Sequence, residues 1–181
     1  ADLLAQVPSE TPAAYWDAGD VIFQSKLEEL WKMVELHTPP LLTCAEPFVN
    51  PENEAVAWWT KSIHDPTARE YAFQLLSTRP FLNSGFAAGT ASALQRYFRT
   101  ADSYLRTATL AGTSDWGDQT ALNLYCHSEP DRWQQIDQAW NYCTHDRAPG
   151  SLRVTGTGRI ESREGHRICV VHGNAKSIRK L

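Results

Sequence analysis

Short apolar runs alternate along the chain with stretches whose apolar residues recur every three or four positions, so extended and helical periods follow one another. Ala13–Trp16 and Val21–Phe23 are apolar runs on either side of a polar turn, and both read as buried strand. A helix follows them. Ser25 and Glu28 have the spacing of a capping box, and Leu27, Leu30, Trp31 and Val34 fall at i, i+3, i+4 and i+7. His37-Thr38-Pro39-Pro40 stops that helix, and the apolar run Leu41–Ala45 completes a β-α-β order that favours an α/β layered fold.

Glu46–Ser62 carries Pro47, Asn50, Pro51 and Asn53 and reads as a long loop tipped by Trp58 and Trp59. Asp65 and Pro66 supply an N-cap and a first-turn proline for a helix with Ala68, Tyr71, Ala72, Leu75 and Leu76 on its apolar side, ended by Pro80. A further helix carries Ala91, Leu94, Phe98, Ala101 and Leu105, and another begins near Asp115 or Asp118 and continues through Ala121, Leu122 and Tyr125. Pro130, Trp133, Ile136 and Trp140 fit one more helix, although Trp140-Asn141-Tyr142-Cys143 fits extended chain equally. From Ser151 onward, Leu152–Thr155, Arg159–Glu161 and Arg167–Val171 look like an antiparallel meander broken at Gly156, Gly158 and Glu164-Gly165.

Composition narrows the class. A chain of 181 residues, 42% hydrophobic and 10% aromatic, is long enough for one domain with a proper core. Its net charge of −4 argues against a partner held mainly through phosphates, so no nucleic acid is expected. No apolar run approaches the roughly 20 residues that span a bilayer, and the N-terminus lacks the basic-then-apolar form of a signal peptide. Cys44, Cys126, Cys143 and Cys169 leave the compartment open: a secretory-pathway lumen if they pair, the cytoplasm if they do not. The neighbouring His127 and His145 do not give these cysteines the paired spacing of a structural zinc site.

Four short stretches carry candidate chemistry, each with a plainer alternative. Asp17 and Asp20 interrupt apolar chain at a strand end, where buried charge is costly unless compensated; a hard divalent cation between carboxylates and a substrate's phosphates would compensate it. Asp17-Ala18-Gly19-Asp20 is equally a good turn. Asn83-Ser84-Gly85 brings an amide, a hydroxyl and bare backbone together, suited to a ligand or to a small-residue strand under a helix. Asp118 suits a catalytic carboxylate or a charge at the positive end of a helix. His172-Gly173-Asn174, with Lys176 beyond, ends an apolar strand as a structural histidine and a solvated basic terminus would.

Taken in order, Asp17-Ala18-Gly19-Asp20-Val21-Ile22-Phe23, Phe81-Leu82-Asn83-Ser84-Gly85, Asp118-Gln119 and Val171-His172-Gly173-Asn174 resemble the glycosyltransferase domain of the procollagen lysyl hydroxylase and glucosyltransferase family. The resemblance runs from about Ala13 to Lys176. It implies a GT-A fold, a UDP-sugar donor, a hydroxyl acceptor on a protein or glycan, and a requirement for Mn²⁺ (or Mg²⁺). It also implies that Asp17, Asp20 and His172 hold the metal, that Asn83 and Asp118 face the donor sugar as catalytic residues, and that Ser84, Gly173, Asn174 and Lys176 bind the nucleotide sugar, the last two beside its diphosphate.

In that fold the strands that grip uracil and ribose precede the acidic motif, and only sixteen residues precede Asp17 here. The expectation is therefore a GT-A-like mixed sheet flanked by helices, lacking its N-terminal nucleotide-binding strands, with a partner chain or an upstream segment completing the sheet. The competing expectation is a non-catalytic, GT-A-derived binding or scaffolding module whose carboxylates only form a turn.

Overall fold

The structure, a computed structural model, describes residues 2–36, 41–49, 60–61, 63–106, 117–144, 147 and 150–173. Its strands are β1 (Pro12–Trp16), β2 (Val21–Phe23), β3 (Leu41–Val49), β4 (Pro80–Leu82), β5 (Phe86–Thr90), β6 (Trp133–Ile136), β7 (Tyr142–Cys143), β8 (Leu152–Val154), β9 (Ile160–Ser162) and β10 (Val170–His172). The α-helices among these residues are α1 (Glu28–Leu36), α2 (Pro66–Ser77), α3 (Ala91–Arg106) and α4 (Gly117–Ser128).

A mixed sheet forms the middle layer. β5 pairs antiparallel with β1 on one side and with β3 on the other, while β6 joins the opposite edge of β3 in parallel. β4 continues along the β5 side of β3, with Ala45 opposite Leu82, and the register slips between Ala45 and Val49. Residues 83–85 thus leave the ladder midway along a central strand, although Asn83 N–H still donates to Cys44 O at 3.0 Å. This interruption is the feature that makes room for a site.

The two faces of the sheet are told apart by strand alternation. Leu41 and Ala87 join Leu94, Tyr97, Leu122 and Tyr125 of α3 and α4 in one core. Leu42, Phe86 and Ala88 join Leu30 and Val34 of α1 and Val170 of β10 in another. Helix α4 is buried along nearly its whole length, from Gln119 to His127, and so reads as a helix inside the protein rather than on its surface. Each large apolar side chain so enclosed contributes about 1.5–3 kcal/mol.

A second sheet packs beside the first: β10 pairs antiparallel with β2 and in parallel with β7. The hairpin of β8 and β9 lies against it through Leu152 and Ile160, which share a small core with Tyr142, Ile168 and Val171.

Several elements differ from the sequence reading. β2 is an edge strand, with Ile22 and Phe23 42% and 50% exposed, because only β10 covers it. Tyr71 faces solvent, and α2 buries Ala72 and Leu76 instead. β3 runs on to Val49, into the stretch read as loop; Trp58 and Trp59 lie outside the described residues. The stretch from Pro130 to Cys143 is not a helix but two short strands with single 3₁₀ turns, and the extended reading of Trp140–Cys143 holds only for Tyr142–Cys143. β10 does not complete a meander with β8 and β9, since both of its hydrogen-bonding edges are taken by β2 and β7.

All four cysteines are free thiols and buried. No helix among the described residues is long and apolar enough to cross a membrane.

Candidate functional site

The Asp17–Asp20 turn carries the chain from the first sheet to the second, and both ends are fixed by backbone. Asp17 N–H donates to Gly85 O at 3.0 Å, and Gly173 N–H donates to Asp20 O at 2.7 Å. Gly19, at φ +98°, supplies the left-handed residue that lets the turn close so tightly. In the second sheet His172 is paired with Val21, one residue after Asp20, so the register of β2 and β10 brings the imidazole to the acidic turn.

The result is a convergence of three side chains far apart in sequence. His172 Nε2 lies 3.6 Å from Asp17 Oδ2 and 3.6 Å from Asp20 Oδ1. The imidazole is 2% exposed, whereas the Asp17 and Asp20 side chains are 51% and 31% exposed. Both Asp20 Oδ1 and His172 Nε2 are buried atoms with no hydrogen-bond partner among the described residues. Orphaned buried polar atoms of this kind are costly, and a bound water or ion is one way such atoms are satisfied.

These atoms suit a small hard cation. Two donors at right angles around an ion at about 2.1 Å are about 3.0 Å apart, and opposite donors are about 4.2 Å apart. The separations found fall between. Two carboxylate oxygens and one imidazole nitrogen are donor types that a divalent cation such as Mn²⁺ accepts. As the side chains stand, no group of three or more His, Cys, Asp or Glu among the described residues, Asp17, Asp20 and His172 included, is arranged to hold a metal ion. Gly85 keeps the space clear: a Cβ there would overlap His172 Cε1 and lie 2.7 Å from Asp17 Oδ2 and 2.8 Å from Asn83 Oδ1.

The interrupted strand edge builds the adjoining wall. Ser84 Oγ donates to Asp118 Oδ2 at 3.0 Å, so the carboxylate at the head of α4 is steered by the loop opposite it. Tyr15 O–H donates to Ser84 O at 2.7 Å. Asn83 is turned inward: its Nδ2 donates to Glu46 Oε1, and its Oδ1 accepts from Gly85 N–H at 2.9 Å and from Asn141 Nδ2 at 2.8 Å. Gly173 follows His172 directly; Asn174 and Lys176 lie outside the described residues.

Solved structures of similar shape are sugar-transferring enzymes. Mouse xyloside xylosyltransferase 1 in its apo form superposes with a TM-score of 0.54 at 17% identity, covering 97% of this chain and 62% of that one. Galactosyltransferase LgtC with donor and acceptor sugar analogues gives 0.54 at 15% identity, covering 94% and 55%; an active-site mutant of LgtC gives 0.54 at 14% identity over the same shares. The chain has a GT-A fold. It spans 55–62% of the length of these glycosyltransferases. No family model and no curated protein sequence matches it.

Within this GT-A fold, burial sets the charge states at the acidic turn. Burial pushes the His172 imidazole below its ordinary value of 6.5, against the pull of Asp20 and Asp17, which favours the neutral, lone-pair-bearing ring. Burial also raises Asp17 above 3.8; His172 opposes this, while Asp118 and Asp20 add to it. A bound divalent cation would oppose that rise.

The sequence reading missed the groups that hold these residues in place. Gln119 Oε1 accepts from Ser84 N–H at 2.7 Å and its Nε2 donates to Leu82 O at 2.9 Å. One turn on, Asn123 Oδ1 accepts from Leu82 N–H at 2.9 Å and its Nδ2 donates to Leu82 O at 2.8 Å. Two amides four residues apart on a helix otherwise packed with apolar side chains were the available clue, because buried amides must find partners. Behind His172, Cys143 Sγ lies 3.8 Å from Nδ1, and burial pushes the thiol's pKa up, with nearby Glu46 adding to the rise.

Proposed function

We propose that this chain is a metal-dependent glycosyltransferase unit that moves a sugar from a UDP-sugar to a hydroxyl on a protein or glycan. The observation that carries the proposal is the meeting of Asp17, Asp20 and His172 around two orphaned buried acceptors on a GT-A fold. The motif order shared with the procollagen lysyl hydroxylase and glucosyltransferase family supports the UDP-sugar and Mn²⁺ (or Mg²⁺) parts of the reading.

Asp17, Asp20 and His172 Nε2 would hold the cation. When bound there, it would offset the negative charge that builds on the departing UDP, and electrostatic stabilisation of this kind often contributes more to catalysis than any other effect. Asp118, oriented by Ser84, would stand opposite the reacting sugar carbon or take the proton of the incoming hydroxyl. Asn83, with its amide committed to Glu46, Gly85 and Asn141, would act by shaping the loop that carries Ser84. Gly173, Asn174 and Lys176 would lie along the diphosphate, and contacts to uracil and ribose would come from a partner chain or from sequence outside this one.

The test is turnover of a panel of UDP-sugars, read as UDP release with and without small hydroxyl acceptors, in Mn²⁺ and after chelation. Metal-dependent release is expected, lowered by about 100-fold or more in Asp20→Asn, the scale of losing a group that stabilises transition-state charge. Equal release after chelation would contradict the proposal. Metal-dependent UDP binding without any turnover would instead favour a GT-A-derived binding module.

A further inference from the structure

We infer that the outer edge of β8 is a docking site for an extended acidic segment of another protein, which adds to the β8–β9 hairpin as a third strand and sets its carboxylates over Arg153, Arg159 and Arg163. This surface is separate from the acidic turn. The hairpin packs against Val171, and His172, the next residue of β10, points to the opposite face of that strand.

Charge sets this part of the chain apart. Residues 147–181 hold eight of the 17 Lys and Arg but two of the 21 Asp and Glu, so a basic end stands on an otherwise acidic chain. Strand alternation then sorts the hairpin: Leu152 and Ile160 share a core with Tyr142 and Val171, which leaves Arg153, Arg159, Glu161 and Arg163 on the outer face. Register places these side chains in rows. Arg153 is opposite Glu161. Arg163 N–H donates to Ser151 O at 2.8 Å and Thr155 N–H to Arg159 O at 2.8 Å, so the flanking rows are Ser151 with Arg163 and Thr155 with Arg159. Each row holds one arginine, and successive rows are about 6.5–7 Å apart, two residues along a strand. Arg153 Nη2 lies 2.8 Å from Glu161 Oε2, Arg159 spends one N–H on Gln24 O at 3.3 Å, and the Arg163 guanidinium has no partner among the described residues.

The backbone of β8 is open beside these rows. In this register Ser151, Arg153 and Thr155 turn their N–H and C=O groups toward β9, so those of Leu152 and Val154 point outward. Among the described residues β8 pairs with β9 alone. The far edge of β9 is closed at Ile160, where Gln24 Nε2 donates to the carbonyl at 2.9 Å and Gln24 Oε1 accepts from the N–H at 2.6 Å, as a neighbouring strand would. An unpaired edge takes up a further strand through main-chain hydrogen bonds, and the alternate side chains decide which chain is accepted. Here charge decides. Two copies joined through their β8 edges would set arginine rows against arginine rows, and residues 174–181 would bring Lys176, Arg179 and Lys180. A strand with Asp or Glu at every second position meets one arginine in each row instead, with the two-pronged N–H···O geometry that guanidinium offers a carboxylate. Ser151 and Thr155 are small enough for the arms of Arg163 and Arg159 to lie across them. The residues between the acids would fall beside Val154, whose 54% exposure favours apolar side chains there.

The test is binding of a short fluorescent peptide alternating Glu and Val to the whole chain, read by anisotropy and by amide hydrogen exchange. Binding that weakens with added salt is expected, with exchange at the Leu152 and Val154 amides slowed in the complex. Arg159→Glu combined with Arg163→Glu should weaken it about 10-fold or more, and so should replacing the peptide's Glu by Lys. Val154→Pro removes one outward N–H, keeps every charge and lies at an edge, where proline is tolerated; it should weaken the peptide about 10-fold as well. Absence of slowed exchange at Leu152 and Val154 overturns the inference without any variant having to fold. Unchanged affinity in a folded Val154→Pro overturns it too. Tighter binding of a sulfated oligosaccharide, with those amides exchanging as before, would make the arginines a glycan surface and contradict the added strand.

Discussion

At the residue scale, Gly85 is the position where the smallest change has the largest consequence. A methyl group there would meet the His172 ring, the Asp17 carboxylate and the Asn83 amide at once, and two of these are anchored by backbone pairing and cannot retreat. Gly85→Ala is expected to lower stability by about 1–3 kcal/mol, the usual cost of overpacking, and to weaken Mn²⁺ binding; denaturant midpoints and a metal titration measure the two effects. Asp20→Asn behaves differently. It removes charge beside the Asp17 carboxylate, so the metal-free variant should melt no lower than wild type while the rise in melting temperature on adding Mn²⁺ disappears. A large loss of metal-free stability would show that the carboxylate is a structural turn former instead.

At the element scale, α4 is both a core helix and the fixture for the interrupted strand edge. Asn123 satisfies the N–H and the C=O of Leu82 together, at the last residue of β4 before the chain leaves the ladder. Asn123→Leu keeps the branched shape but leaves the Leu82 N–H without its partner, while Leu82 O keeps Gln119 Nε2–H, and should cost about 1–3 kcal/mol in chemical denaturation. The same helix ends at His127, whose Nε2–H donates to Pro80 O at 2.8 Å. Burial lowers its affinity for protons below the ordinary value of 6.5; the Pro80 carbonyl opposes this and Arg79 adds to it. His172 is lowered in the same direction. A base with a depressed folded value contributes stability that is full above 6.5 and is lost as pH falls through that folded value. Stability of the metal-free protein should therefore decline below pH 6.5, and His127→Gln, which keeps an N–H for Pro80, should flatten the slope. Asp17, raised by burial, acts the other way, favouring the folded state at the acid end of the range and offsetting part of the decline.

At the scale of the whole molecule, function depends on two sheets meeting where one of them is broken. The broken edge at 83–85, the turn at 17–20 and the end of β10 come from three distant parts of the chain, and only their joint placement makes a site. Local pattern made the helices and most strands legible: the Asp65 cap, confirmed by its bond from Ala68 N–H at 2.6 Å, and the apolar run Leu41–Ala45 are short-range facts. The acidic turn and His172 were legible only as an ordered set of motifs, since no spacing rule links residue 17 to residue 172. What stayed hidden was the supporting shell. Asn123, Asn141 and Glu46 carry no motif, and Gln119 entered only beside Asp118; Gln119 and Asn123 pair backbone groups at the strand break, while Glu46 and Asn141 pair the Asn83 side chain. The path of β10 was misjudged for a related reason: a short apolar strand does not announce which neighbour it will pair with.

Whether the two aspartates and the histidine share a cation is decided most plainly by anomalous scattering from crystals of the protein soaked in Mn²⁺, recorded on both sides of the manganese edge. One strong peak is expected, bounded by Asp17, Asp20 and His172 Nε2 and lying in front of Gly85, and absent from crystals of Asp20→Asn. A lattice with no peak there, or with manganese bound only elsewhere on the protein, would contradict the shared site.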